Sequence, residues 1–383
     1  MNLVIYTNIL TPYRKYFYDA LYKACKEYKD NFYVVVMADT ESGRNWRYEE
    51  LKTSYTILLE NKTLSVGGAY IHFNPDLKAV LKRLKPDILI CAGGYLCPGI
   101  WKAIRWKKRM DYKIYFWSES HLNESRNYGK LKTGLRERIR RKIYPKFDGF
   151  WYAGKMSRNF IEKYAGSHSD MRFVPNLIEE EKYYQAAEIT AEEKIRLREK
   201  YHIAEDRIIF LCPARLIEVK GIDKVIPLIA KCRNREKVTI VVAGDGELRN
   251  TIAEMAGRER LDVRLLGFQG QEEMIELYGF CDFFLLPSIS DANPLTCIEA
   301  LWAGMPLLIS EHCGNYPEVI RNGQNGYVFS YKNSKRAIED MEEMIRSDWK
   351  WRQNAKEISL QIAQKQYSTE KVVKDIVEHC HER

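Results

Sequence analysis

Pro287-Ser288-Ile289-Ser290-Asp291-Ala292-Asn293-Pro294-Leu295-Thr296-Cys297-Ile298-Glu299-Ala300-Leu301-Trp302-Ala303-Gly304-Met305-Pro306 is the stretch whose reading decides the fold. The apolar run Phe283 to Leu286 enters it as a buried strand, and a polar loop follows. Asn293 is placed to cap a helix, Pro294 to occupy its first position, and Gly304 with Pro306 to close it. A helix N-terminus at the carboxyl end of a buried strand offers free N–H groups and the positive end of the helix dipole, which suits an anion such as a diphosphate. Thr296 and Glu299 lie three apart on one helix face, and a carboxylate there suits hydroxyls better than phosphate. Taken alone, the stretch reads equally well as an ordinary capped helix with Glu299 merely solvated.

Pro213-Ala214-Arg215-Leu216-Ile217-Glu218-Val219-Lys220-Gly221-Ile222-Asp223 repeats the strand-to-helix pattern and sets two cations in the loop. Arg can fork two phosphate oxygens, and Lys can act on the same group as a point charge. Short apolar runs alternate with amphipathic stretches throughout, the pattern of parallel sheets covered by helices. Strands are expected at Leu3 to Tyr6, Phe32 to Met37, Ile88 to Cys91, Lys113 to Trp117, Gly149 to Tyr152 and Met171 to Val174. A second set is expected at Arg207 to Cys212, Val238 to Ala243, Val263 to Leu266, Phe283 to Leu286, Pro306 to Ile309 and Tyr327 to Phe329. Thr190 with Glu193 reads as a capping box opening a helix to about Tyr201.

The 383 residues suit two domains. We read an α/β chain of two doubly wound domains facing a central cleft: residues 1–185, residues 186–365, and a C-terminal helix in 366–383 that packs back on the first domain. No apolar run approaches the about 18 residues of a membrane span, and the start Met1-Asn2-Leu3-Val4-Ile5-Tyr6 reads as a strand rather than a signal peptide, so a cytoplasmic protein is expected. Nine scattered Cys without zinc-ligand spacing read as reduced small hydrophobes, and no metal site is expected.

The net charge of +9 is uneven. Residues 101–150 hold 15 Lys plus Arg against five acids, a local charge of +10. Within it, Leu135, Ile139 and Ile143 recur every four residues among the cations of Lys130 to Lys146, an amphipathic basic helix. Such a helix suits either the inner face of an anionic membrane, through residues 101–146, or simple packing on the sheet with its cations in water. No nucleic-acid motif accompanies the charge, so no nucleic-acid partner is expected.

Together these residues resemble the family 4 retaining glycosyltransferases of GT-B fold, the glycosyl transferases group 1, and among them bacterial cell-surface polysaccharide transferases. Arg215-Leu216 and Lys220-Gly221 match the first family motif, with Ala214 in place of the usual Gly. Gly244-Asp245-Gly246, Leu266-Gly267-Phe268, Gly314, Pro317-Glu318 and Asn325-Gly326 match others, and Asp291 stands eight residues before Glu299 where the family commonly has Glu. The likeness implies that Arg215 and Lys220 hold a sugar donor's diphosphate, Glu299 its ribose and Asp291 the transferred sugar. It also implies that the backbone of Asn293, Pro294, Leu295 and Thr296 meets the phosphates, with Gly244, Gly246, Gly267 and Phe268 around the nucleotide. Asn8-Ile9-Leu10-Thr11-Pro12 replaces the family's paired glycines; Thr11 and Pro12 should start the first helix on the acceptor side. His121, with Glu119 nearby, matches a family position that contacts the donor sugar or the acceptor.

The activity implied is sugar transfer, with retention, from a nucleotide sugar to a hydroxyl of a lipid-linked or other glycan acceptor in cell-surface polysaccharide biosynthesis. It needs no metal and no cofactor beyond the donor, with a UDP-sugar favoured over a GDP-sugar. A nicotinamide dehydrogenase is disfavoured, because no glycine follows the first strand and Gly244-x-Gly246 continues to Arg249. A GT-B epimerase or phosphorylase, or a non-enzymatic glycan- or membrane-binding protein, would share the architecture.

Overall fold

The computed structural model describes residues 1–42, 46–66, 69–123, 130–166 and 170–382. The chain divides into two compact units. One holds the described residues of Met1–Leu122, 130–178 and Thr369 onward, and the other runs from Glu179 to Ser368. The first boundary thus falls at Ile178, before the helix Glu180–Ala187, rather than at 185/186, and the second at 368/369 rather than 365/366.

The first unit carries β1 (Asn2–Thr7), β2 (Asn31–Val36), β3 (Thr56–Leu58), β4 (Lys62–Val66), β5 (Ala69–Phe73), β6 (Ile88–Ala92), β7 (Lys113–Ser118), β8 (Gly149–Tyr152) and β9 (Met171–Phe173). Seven of these form one sheet in the order β3-β2-β1-β6-β7-β8-β9, every pair parallel. Alternation along β1 sends Leu3 and Ile5 into one core cluster and Val4 and Tyr6 into the other, so the sheet is buried on both faces. The antiparallel β4 and β5, and the three-residue β3, are additional to the expected strands: they are short, and polar residues interrupt their apolar ones.

The helix Thr369–His381 belongs to this unit although it ends the chain. Val373, Ile376, Val377 and Cys380 join the cluster of Leu3, Ile5 and Phe17. At its end, His379 Nε2 lies 2.9 Å from Asp170 Oδ1 and His381 Nε2 lies 2.6 Å from Asp30 Oδ2.

The second unit carries β10 (Ile208–Cys212), β11 (Val238–Ala243), β12 (Asp262–Gly267), β13 (Phe283–Leu286), β14 (Leu307–Ser310) and β15 (Gly326–Phe329). They form a parallel sheet in the order β12-β11-β10-β13-β14-β15. Every side chain of β11, β13 and β14 is buried, as their largely apolar runs require, with Thr239 and Ser310 the buried polar members. The capping box opens the helix Ala191–Lys200: Thr190 Oγ1 accepts from Glu193 N at 3.1 Å and Glu193 Oε2 accepts from Thr190 N at 3.0 Å.

All nine cysteines are buried and unlinked. Burial pushes the Cys25, Cys212, Cys232 and Cys380 thiols up to about 12, which keeps them protonated and inert. Among the described residues, no helix is long and apolar enough to cross a membrane.

Candidate functional site

In an open parallel sheet, ligands bind outside the carboxyl ends of the strands where the strand order reverses. In the second unit that point lies between β10 and β13, neighbours in the sheet whose helical connections leave in opposite directions. The loops leaving these two strands are the stretches 213–221 and 287–294, so the two sequence motifs flank one switch point.

The loops are tied together. Ile289 N donates to Val219 O at 2.9 Å, and the Tyr331 hydroxyl donates to the carbonyls of both Pro287 and Gly221. Gly221 has φ +65°, and a Cβ there would collide with the Pro287 carbonyl oxygen. This is the physical reason a glycine follows Lys220. The turn Gly244-Asp245-Gly246 braces the first loop from the other side. Leu216 N donates to Asp245 O at 3.0 Å, and a Cβ on Gly244 or Gly246 would strike the carbonyl of Ala214 or Leu216.

Lys220 Nζ lies 2.5 Å from Asp291 Oδ2, with the two side chains 20% and 16% exposed. Two residues expected to serve different parts of a donor are therefore partners in one ion pair. Arg215 is exposed and its guanidinium makes no ion pair among the described residues. It remains available to an anion.

The helix beyond these loops is Leu295–Trp302, and its N-cap is Pro294, not Asn293. Asn293 is buried at the preceding position, and Pro294 itself brings no side-chain acceptor to this N-terminus. Pro294, with φ −64° and ψ 120°, takes the extended conformation that a cap requires, which moves the start by one residue. The Pro294 carbonyl is held by Asn315 Nδ2 at 3.0 Å, a buried partner that sequence reading missed because it lies in another loop.

Glu299 is half-buried on this helix and is not simply solvated. The buried Tyr278 hydroxyl donates to Glu299 Oε2 at 2.7 Å, and Tyr183 is a second hydrogen-bond partner. The two tyrosine rings meet edge to face, 5.6 Å apart. Burial raises the Glu299 carboxyl above its ordinary value, and the two hydroxyls oppose that rise. At the end of edge strand β12, Gly267 has φ +75° and turns Phe268 outward, 86% exposed, an aromatic face open to a planar partner.

The expected residues of the first unit follow β1 and β7. Thr11 is the N-cap of the helix Pro12–Glu27 and accepts from Arg14 N at 3.3 Å. Arg14, nearly buried, stacks over Trp117 at 3.8 Å and forms an ion pair with Glu119. Glu119 thus has a cation partner that the sequence did not indicate. His121 is buried, 2% exposed.

The basic helix Lys130–Ile143 grades from outside to inside, with Leu135 61% exposed, Ile139 half-buried and Ile143 fully buried. Arg140 turns inward over the rings of Phe160, Tyr95 and Tyr164, while Arg138, Arg141 and Lys142 face outward. Lys107 is taken up by Asp148 at 2.6 Å. Glu124 and Arg126 lie outside the described residues, as do the side chains of Lys130, Leu131 and Lys132.

Residues 193–361 match the model of the family described as glycosyl transferases group 1. N-acetyl-alpha-D-glucosaminyl L-malate synthase of Bacillus anthracis is 25% identical over 206 residues, which cover 54% of this chain and 52% of that protein. The chain thus spans about half the length of curated relatives such as this one. Alpha-galactosylglucosyldiacylglycerol synthase of Streptococcus pneumoniae is 24% identical over 263 residues, covering 63% of this chain and 67% of that one. Anabaena HepE, solved with UDP and glucose, superposes over 100% of both chains with a TM-score of 0.72 at 15% identity, a likeness of fold. The chain therefore has the GT-B fold and carries, over residues 193–361, a domain of the glycosyl transferases group 1 family.

Proposed function

We propose that the protein is a retaining glycosyltransferase that moves a sugar from a nucleotide donor to a hydroxyl of a glycan or glycolipid acceptor. The observation that carries this reading is the convergence of Arg215, the Lys220–Asp291 pair and the N-terminus of Leu295–Trp302 on one switch point. In this reading Arg215 and Lys220 take the donor diphosphate, with the N–H groups of Leu295 and Thr296 beside them. The two Glu299 oxygens accept from the ribose hydroxyls, Phe268 covers the base, and Asp291 meets the transferred sugar once Lys220 turns to the phosphates. Departure of the diphosphate is driven by fixed charge aimed at where negative charge grows, without a metal ion. The acceptor then attacks from the face the diphosphate leaves, which retains the anomeric configuration.

We assign acceptor recognition to the first unit, at the loop through Thr11 and Pro12, at Glu119 and at His121. A UDP-sugar is the preferred donor, as in the UDP complexes of Anabaena HepE. A lipid-linked acceptor on the inner membrane face is supported by exposed Leu135 among the outward Arg138, Arg141 and Lys142. The diacylglycerol named in the Streptococcus pneumoniae relative is a lipid of that class.

The test is a panel of nucleotide sugars with EDTA present, scored by acceptor-dependent release of nucleoside diphosphate and by NMR of the product's anomeric centre. Release with retention supports the proposal. Inversion overturns the mechanism, and turnover of the donor without an acceptor favours an epimerase or hydrolase instead.

A further inference from the structure

The second unit has a pocket of about 310 Å³ at the opposite end of its sheet from the switch point. Asp282, just before β13, and Pro306, just before β14, line it, so it lies at the amino ends of the strands. Three cations, Lys194, Arg352 and Lys356, share its wall with a single carboxylate, that of Asp282.

Asp282 is already saturated. It accepts from Ile209 N at 2.9 Å, Arg198 Nη2 at 2.8 Å and Lys194 Nζ at 3.0 Å, and Arg352 Nη1 stands 3.6 Å away. Arg198, which also donates to the carbonyls of Glu205 and Arg207, lies outside the pocket wall and shares Asp282 with Lys194 and Arg352. Lys194 and Arg352, 35% and 29% exposed, keep N–H groups beyond those Asp282 uses, and so does Lys356 after its bond to Ala187 O. Lining groups with a net charge of two positive units, in a concave site of this size, suit an anion.

We propose that this pocket binds a small phosphorylated anion. Three phosphoryl oxygens match three cation donors, with Arg352 able to take two of them in a fork. The volume exceeds a bare phosphate, and Ile189, Met305 and Pro306 supply an apolar wall for an organic substituent. The pocket also touches the elements that carry the candidate site. Tyr278 lines it while donating to Glu299, and Ala303 and Gly304, which end the helix beginning at Leu295, form part of its wall. An occupant would therefore bear on Glu299 through Tyr278. The binding claim stands independently of the transferase proposal.

The test is isothermal titration of the full chain with inorganic phosphate and with phenyl phosphate, in the wild type, R352Q/K356Q and R215Q. Binding in the wild type and R215Q, weakened about tenfold or more per lost cation in R352Q/K356Q, is the expected result. Tighter phenyl phosphate identifies an organic phosphate as the occupant, and tighter inorganic phosphate the free ion. No binding of either probe to the wild type, or unchanged affinity in R352Q/K356Q, overturns the proposal. Should R352Q/K356Q fail to fold by circular dichroism, A191W, which fills the exposed mouth, gives the same decision: loss of binding supports the site and unchanged binding refutes it.

Discussion

Replacing Lys220 by Met removes the cation of the ion pair at the centre of the site while keeping most of its length. At 2.5 Å and an effective dielectric near 20, the pair attracts by roughly 6 to 7 kcal/mol before desolvation is counted. Exposed pairs net about 0 to 1 kcal/mol and breaking a buried pair costs about 3 to 5 kcal/mol. With side chains 20% and 16% exposed, the pair lies between these two limits, and Lys220→Met should cost about 2 to 3 kcal/mol. Asp291→Asn should cost less, and in the double variant the losses should not add. Urea unfolding of the four proteins gives a coupling energy, expected at about 1 to 3 kcal/mol. The same variants separate in ligand binding: Lys220→Met should weaken UDP about tenfold or more, whereas Asp291→Asn should tighten it, because it releases Lys220 toward the phosphates. Additive stability losses, or Asp291→Asn weakening UDP as much as Lys220→Met does, would refute the reasoning.

Tyr278→Phe deletes the hydroxyl that reaches Glu299 and should cost about 1.5 to 3 kcal/mol, as a hydrogen bond to a charged group, with a raised donor KM at little change in kcat; an unchanged Tm and KM would remove Tyr278 from the site. Gly221→Ala meets both the positive φ and the Pro287 carbonyl and should cost about 3 kcal/mol or more by chemical denaturation, with loss of UDP binding; wild-type stability would mean that the two loops are not packed as described. Because the folded-state Glu299 carboxyl sits above its unfolded value, the stability tied to its neutral form is present below the unfolded value, about 4.5, and lost as pH rises through the folded one. Glu299→Gln should thus raise Tm near pH 7 and lose that advantage near pH 4; a destabilised Gln variant at pH 7 would show that the charge is well solvated or paired.

Most of the frame was legible because its signals are local. Twelve expected strands all occur, since an apolar run such as Phe283 to Leu286 flanked by polar loops has few other readings in a covered parallel sheet. Thr11 and Thr190 cap their helices as their spacing to Pro12 and Glu193 implies. What escaped depends on contacts far apart in sequence. Asn315 on the Pro294 carbonyl, Tyr278 and Tyr183 on Glu299, and Arg14 on Glu119 join residues that no local pattern relates. Asn293 is the cap its residue type suggests, but the extended conformation falls on Pro294. The basic stretch was legible as an amphipathic helix, whereas the inward turn of Arg140 required the rings of Tyr95, Phe160 and Tyr164 to be in place.

The central claim is that Arg215 and Lys220 hold a nucleoside diphosphate at the switch point of the second unit. Isothermal titration of UDP into the wild type, each single Ala variant and Arg215→Ala/Lys220→Ala tests it most directly, in EDTA and with folding checked by circular dichroism. Two charge-assisted contacts of about 1.5 to 3 kcal/mol each predict a loss of roughly a hundredfold or more in the double variant. A folded double variant that binds UDP as tightly as the wild type would contradict the account.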